Sequence, residues 1–467
     1  LRALVITIAS IISVAGVAVA FIWLTPFSVN VAGTFQGDIN RGKNIAVAGD
    51  CVACHPAPGG KLFAGSLSIV TSFGKIVTSN ITPDPETGIG GIDVELFNRV
   101  TREGIGIKGQ RLYPAMPYNH YAGVTDQDLA DLKAYLDTIP PVKNKVEANQ
   151  LPFPFNVRQL IIGWNLLFFH AEVFRPDLAK TPQWNRGSYL VDGLGHCASC
   201  HTSKNFWGGD NLATLHGGEV NGWNTPSLVK APRVGLGRWT IEDIVSYLAT
   251  GGSQHAVAAG PMDEVVSNSM SKADVDISAV AVYLKSLPGE NPEYVPLPIT
   301  QGLMAEGRKV YESNCAACHT VRGKGLKGVI PPFAGNVVVQ SNESLTVLQA
   351  VLIGIKPVHW DPASARVNMP GFAGHLNDAQ VAALATYIRV WSLNYRGGGG
   401  LAWFAPVAQA RGSDAINQLN LIRPVLDQFG FEYVGGSPND IWSTSSMYSS
   451  TVLILKNWPE RMPVLIS

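Results

Sequence analysis

Six cysteines occur in 467 residues, and all of them stand in three copies of one pattern: CVACH at 51–55, CASCH at 197–201 and CAACH at 315–319. Residues three apart lie on one face of a helical turn. Both thiols of a copy can therefore form thioethers with the two vinyl groups of one porphyrin, and the adjoining His55, His201 or His319 is placed to bind the iron. C-x-x-C-H is the attachment signature of c-type haem. The alternatives are a zinc site and a thioredoxin-type redox pair. Zinc usually takes four Cys or His ligands from paired clusters, and three pairs, each followed directly by histidine and more than a hundred residues apart, fit that poorly. The expectation is three covalently attached c-type haems, held by Cys51 and Cys54, Cys197 and Cys200, and Cys315 and Cys318. No thiol remains for a disulfide or an iron–sulfur cluster. Attachment of this kind implies maturation on the periplasmic side of a bacterial membrane.

Each motif ends a short helical pattern: DINRGKNIAVAGDCVACH, QWNRGSYLVDGLGHCASCH and LMAEGRKVYESNCAACH, with an Arg-Gly or Gly-Arg pair in each. Each unit closes with an amphipathic helix behind a cap, Thr125, Ser271 or Asn377, with Asp128, Asp274 or Gln380 three residues on, a capping-box-like arrangement. Pro140 and Pro288 stop the first two helices. Tyr135, Tyr283 and Tyr387 recur on these helices, where core packing and haem packing coincide. Strand signals are few, so the class is mainly α. The expected domains are a transmembrane anchor over 1–30, haem domains over 31–148, 181–290 and 301–396, linkers at 149–180 and 291–300, and a tail at 397–467 of no assigned type.

One axial position of each iron remains after the histidine, and a methionine there raises the potential relative to a second histidine. Met116 and Met262 each lie 61 residues after their motif histidine, and Met369 lies 50 residues after His319. All three stand in Pro/Gly-containing loops, 18 to 21 residues before the tyrosine of their unit. The repeat selects methionine. His120, His255 and His375 lie nearby but at no common spacing, and read as loop or solvated histidines.

Formal net charge is zero, so nothing points to nucleic acid, and charged residues make up 15% against roughly 25% in typical soluble chains. Ala3–Leu24 is 22 residues without a charge. At 1.5 Å per residue that crosses a ~30 Å hydrocarbon core. It reads as a retained anchor, with Arg2 on the cytoplasmic side and the haem domains outside; a cleaved signal peptide, with AVA at 18–20 as cleavage site, is the rival. LIIGWNLLFFH at 160–170 is too short to span. It is either a buried linker helix or an interfacial segment, with Arg158 and His170 beside it as candidate quinone contacts.

SNITPDPETGIG and YPAMPY after the first motif, GLGRWTIEDIVSYL in the second unit, and PPFAGN with MPGF in the third resemble the triheme cytochrome c subunits of membrane-bound dehydrogenases of acetic acid bacteria, over roughly residues 35–396. The arrangement of each unit resembles the class I cytochrome c domain. The resemblance implies that a separate catalytic subunit oxidises an alcohol, sugar, polyol or aldehyde in the periplasm, while the cytochrome subunit carries electrons to ubiquinone in the cytoplasmic membrane. The N-terminal anchor and the tail favour a molybdopterin/iron–sulfur aldehyde dehydrogenase partner over a PQQ alcohol dehydrogenase or a flavin-dependent sugar or gluconate dehydrogenase. Two other classes compete with this electron-transfer subunit: a multihaem peroxidase, which needs one iron with a displaceable ligand, and a haem-based sensor, for which no signalling segment is present.

Overall fold

The computed structural model describes residues 35–57, 59–170, 172–272, 275–293, 299–356, 367–394, 431–434 and 452–455. The apolar segment Ala3–Leu24, Asp274 and most of the tail lie outside these residues. Among the described residues no helix is long and apolar enough to cross a membrane.

The helix that leads into each haem motif begins at a side-chain cap. Asp38 accepts from the Arg41 amide at 2.9 Å and starts Ile39–Ala48. Thr181 accepts from Trp184 at 3.1 Å and starts Pro182–Ser188, with proline in the first turn where its missing N–H costs nothing. Thr300 accepts from Leu303 at 3.1 Å and starts Gln301–Asn314. The closing helices are Asp126–Leu136, Ile277–Ser286 and Asp378–Asn394. Thr125 caps the first, and Asn377 with Gln380 forms a reciprocal capping box on the third, with bonds of 2.9 and 3.1 Å. The second departs from expectation. A π-helical turn at Val266–Met270 runs up to Ser271, and the cap falls to Asp276, whose carboxylate accepts from the Ala279 amide at 2.9 Å.

The Arg-Gly repeat has a steric cause. A Cβ on Gly42 would lie 1.9 Å from the Asp131 carbonyl oxygen and 2.8 Å from the Tyr135 Cβ. On Gly187 it would lie 2.1 Å from the Ala279 oxygen and 2.6 Å from the Tyr283 Cβ; on Gly307, 2.2 Å from the Ala383 oxygen and 2.7 Å from the Tyr387 Cβ. Each glycine therefore lets the entry helix cross the closing helix at backbone distance, one turn ahead of the recurring tyrosine. Asp131 reinforces the first crossing, its buried carboxylate accepting from the Asp38 amide at 2.7 Å and pairing with Arg41 at 2.9 Å.

Short antiparallel hairpins interrupt the helices, Ser68–Thr71 with Gly74–Val77 and Gly218–Val220 with Trp223–Thr225, and Phe431–Val434 pairs antiparallel with Val452–Leu455 after the last described helix. The second turns at Asn221-Gly222, both at positive φ, the chemistry a tight two-residue hairpin requires.

The chain packs as two compact units. One holds the described residues through Ser199, with Lys204–Leu212 and Lys272–Tyr283; the other holds Cys200–Ser203, Ala213–Ser271 and the described residues from Leu284 on. Residues 181–290, expected as one domain, contribute to both. In the first unit the Tyr189 hydroxyl meets the Asp128 carboxylate and accepts from the Thr125 amide, joining the middle entry helix to the first closing helix. In the second unit Arg233 donates to the Gln340 carbonyl at 2.8 Å and to Asn342 at 3.0 Å. The helix Ile161–Phe168 is half-buried: Ile162 and Asn165 face inward, Leu166 and Leu167 outward, and the buried Tyr118 hydroxyl donates to Asn165 at 2.7 Å.

Candidate haem-binding sites

The two N-terminal hairpins deliver a carbonyl to the motif histidine. Just past the first, the Ser79 oxygen stands 2.8 Å from His55 Nδ1; just past the second, the Pro226 oxygen stands 2.8 Å from His201 Nδ1. Burial lowers the basicity of both rings and so keeps them neutral. A neutral imidazole that donates from Nδ1 carries its lone pair on Nε2, which is the form that binds iron. The third site is built differently. Among the described residues no strand pair lies between CAACH and the closing helix Asp378–Asn394, and buried His319 Nδ1 has no hydrogen-bond partner. The Phe333 ring stacks on this imidazole instead, at 4.6 Å and 22°.

No disulfide joins any of the six cysteines. Burial, the Asp50 charge and Cys54 push the Cys51 thiol up to about 12, and burial followed by Cys318 pushes Cys315 up to about 11. Thiols so protonated at neutral pH are poor redox nucleophiles. Among the described residues no three His, Cys, Asp or Glu side chains gather as a metal cluster.

The recurring tyrosines flank the thiols. Tyr135 lies within electrostatic reach of Cys51, and Tyr283 within reach of Cys197, its hydroxyl bonded to Asp192 at 2.5 Å. Tyr387 packs 5.6 Å from Tyr311, which in turn neighbours Cys315. Met369 packs against the apolar core that contains Cys315, and Met116 packs against Tyr118, Ala122 and Phe169. Met262 stands in the helix Pro261–Val265, entered through Gly260, where a Cβ would strike the Trp223 ring at 2.6 Å. Two histidine alternatives are engaged elsewhere. His120 Nε2 lies 3.3 Å from Asp210, and His255 Nε2 lies 3.1 Å from Asp243 while its ring stacks on Trp239 at 5.1 Å. Arg158, one of the two candidate quinone contacts, donates to the Arg111 carbonyl at 2.8 Å and covers the Tyr113 ring.

Ser79, Pro226 and Phe333 escape sequence reasoning. Only Asn221-Gly222 signals that a hairpin, and hence a carbonyl, follows the second motif.

Two thiols, a neutral imidazole with Nε2 free, and an apolar surround are the donor set a covalently held haem requires, and they define a c-type cytochrome. A cytochrome c family model matches residues 39–140 and 304–391. The chain is 42% identical over 360 residues to a subunit of the nicotinate dehydrogenase of Pseudomonas putida, a match covering 75% of this chain and 30% of that protein. It is 34% identical over 396 residues to the fructose dehydrogenase cytochrome subunit of Gluconobacter japonicus, covering 78% of this chain and 81% of that one. It is 35% identical over 384 residues to the cytochrome c subunit of alcohol dehydrogenase (quinone) of Gluconobacter oxydans, covering 77% and 80%. The chain belongs to the family of cytochrome c subunits of dehydrogenase complexes. Covalently bound c-type haem is the cofactor of that family, and electron transfer its work.

Proposed function

We propose that this chain is a membrane-associated, three-haem relay that takes electrons from a periplasmic dehydrogenase and passes them to ubiquinone. One observation carries the reading: a glycine-mediated helix crossing leads into C-x-x-C-H three times, each time ending on a half-buried histidine whose basicity desolvation lowers. When bound, each haem supplies an iron that takes up and releases one electron. His55, His201 and His319 would hold the irons from one side, and Met116, Met262 and Met369 would supply the second ligand. With both ligands supplied by side chains, no iron would be left open for a substrate, which separates this reading from a peroxidase.

The names of the relatives attach to nicotinate, fructose and alcohol dehydrogenases, so the scaffold serves several catalytic partners. The resemblance drawn from the sequence makes the partner a molybdopterin/iron–sulfur aldehyde dehydrogenase, with PQQ and flavin enzymes as alternatives. The word quinone in one relative's name supports a quinone acceptor. Exposed Phe153, Leu166, Leu167, Phe206 and Trp207, with the Trp164 indole donating to the Trp207 carbonyl at 3.0 Å, support contact with lipid.

The test is peptide mass analysis of the periplasmic protein, followed by mixing the reduced complex with a soluble ubiquinone analogue. Haem on all three motif peptides and oxidation by the quinone are expected. Extensive carbon monoxide binding to the native reduced protein would refute the methionine assignment. The cofactor that copurifies identifies the partner.

A further inference from the structure

Within the first compact unit, the residues just ahead of the first and second haem motifs meet. The Gly49 carbonyl, two residues before Cys51, accepts from the Tyr121 hydroxyl at 3.1 Å and faces His196 Nε2 at 3.4 Å. His196 directly precedes Cys197. The two donors also touch each other, with the Tyr121 and His196 rings edge to face at 5.4 Å. Tyr121 stands within electrostatic reach of Cys51, Cys54 and Asp50. A Cβ on Gly49 would sit 3.6 Å from the Leu194 carbonyl oxygen, in ordinary contact with the backbone that leads into the second motif.

The backbone is bent to make this meeting. Asp50, at φ 47° and ψ 42°, and His196, at φ 36°, both hold the left-handed conformation immediately before the first cysteine of their motif. For a residue with a Cβ that conformation is strained. The third motif supplies a comparison: Gln301–Asn314 runs up to Cys315, which stands at φ −116°, with no left-handed residue before it. The two motifs bent in this way are the two that meet.

We infer that Gly49, Tyr121 and His196 form the electron junction between the first and second haem sites, and that these two sites exchange electrons directly. This rests on the reading that both motifs carry haem. In the exchange the giving haem is oxidised by one electron and the receiving haem is reduced by one; no proton moves and no covalent bond forms or breaks. The chain contributes a route of one hydrogen bond, from the Gly49 carbonyl to His196, and a few covalent bonds from the Cys51 side to the Cys197 side, with the Tyr121 hydroxyl on the same carbonyl and its ring against His196. Tyr121 and His196 act through the haem attachments and are positioning residues.

The experiment uses the full haem-loaded protein, reduced by one electron in a radiolysis pulse, and follows the redistribution of that electron between the haems. Peptide mass analysis first counts haem on both motifs, and redox titration measures midpoint potentials. In Tyr121→Phe with His196→Leu, redistribution slows several-fold while haem content and potentials stay at wild-type values. His196→Gln, whose side-chain amide can still donate to the Gly49 carbonyl, restores most of the rate in the Tyr121 background. Tyr121→Phe alone, the loss of one hydroxyl, gives an intermediate rate. A double variant with both haems present and a wild-type rate overturns the junction and leaves the haem assignment standing. A wild-type chain lacking haem on either motif overturns both.

Discussion

Two glycines five residues apart in one helix give opposite expected outcomes on conversion to alanine. Gly302 lies in the first turn of Gln301–Asn314, and a Cβ there meets nothing within 4 Å. Gly302→Ala adds helix propensity and removes freedom from the unfolded chain, a gain of about 0.4–1 kcal/mol. Gly307→Ala collects the same gain but drives its Cβ to 2.2 Å from the Ala383 oxygen, 2.8 Å from the Ala383 carbonyl carbon and 2.7 Å from the Tyr387 Cβ. Those obstacles are backbone or bound tightly to it, so relief requires the two helices to part. Overpacking of this kind typically costs about 1–3 kcal/mol, and the separation also loosens Leu384, fully buried in the same helix. The shared gain cancels, so the two variants should differ by roughly 1–3 kcal/mol in denaturant unfolding of the haem-loaded protein, with Gly307→Ala the less stable. A Gly307→Ala protein as stable as Gly302→Ala would refute the claim that the recurring glycine exists to let the helices touch.

Other outcomes follow from the same geometry. Met262→Ala should remove one methionine-to-iron absorption and shift one midpoint potential, leaving the other two haems nearly unchanged in redox titration. Tyr118→Phe leaves the buried Asn165 oxygen without its 2.7 Å donor, and should lower stability by about 1–3 kcal/mol, measured by urea unfolding. His196 has its basicity lowered to about 4, first by burial and then by the His120 charge. Its unfolded counterpart takes up a proton near 6.5, so the stabilising contribution is full above that pH and is lost as pH falls toward about 4. Urea midpoints of the wild type should decline more steeply over that interval than those of His196→Gln.

The haem motifs, their entry helices and the Thr125 and Asn377 caps are legible because each is written in residues close together in the chain. The Arg-Gly pair is visible as a pattern, but its reason is not, since Gly42 answers to Asp131 and Gly307 to Ala383. Ser271 misleads for a local reason: a π-helical turn ending at Met270 uses up the spacing, and Asp276 takes the cap. The segment 160–170 could not be settled from its apolarity alone, because a single polar residue, Asn165, is what ties it to Tyr118. The meeting of Gly49 with His196 joins positions 147 apart in sequence, and neither residue type advertises it.

A crossing made at backbone distance leaves little slack in the joint. Side chains can change rotamer when a nearby charge changes, but two packed backbones have no such freedom, and protein interiors are of low compressibility. Each haem motif begins within about three turns of such a joint, nine residues after Gly42, ten after Gly187 and eight after Gly307. An iron held there gains or loses its electron in a frame that barely relaxes in response, so the reorganisation accompanying each transfer is small.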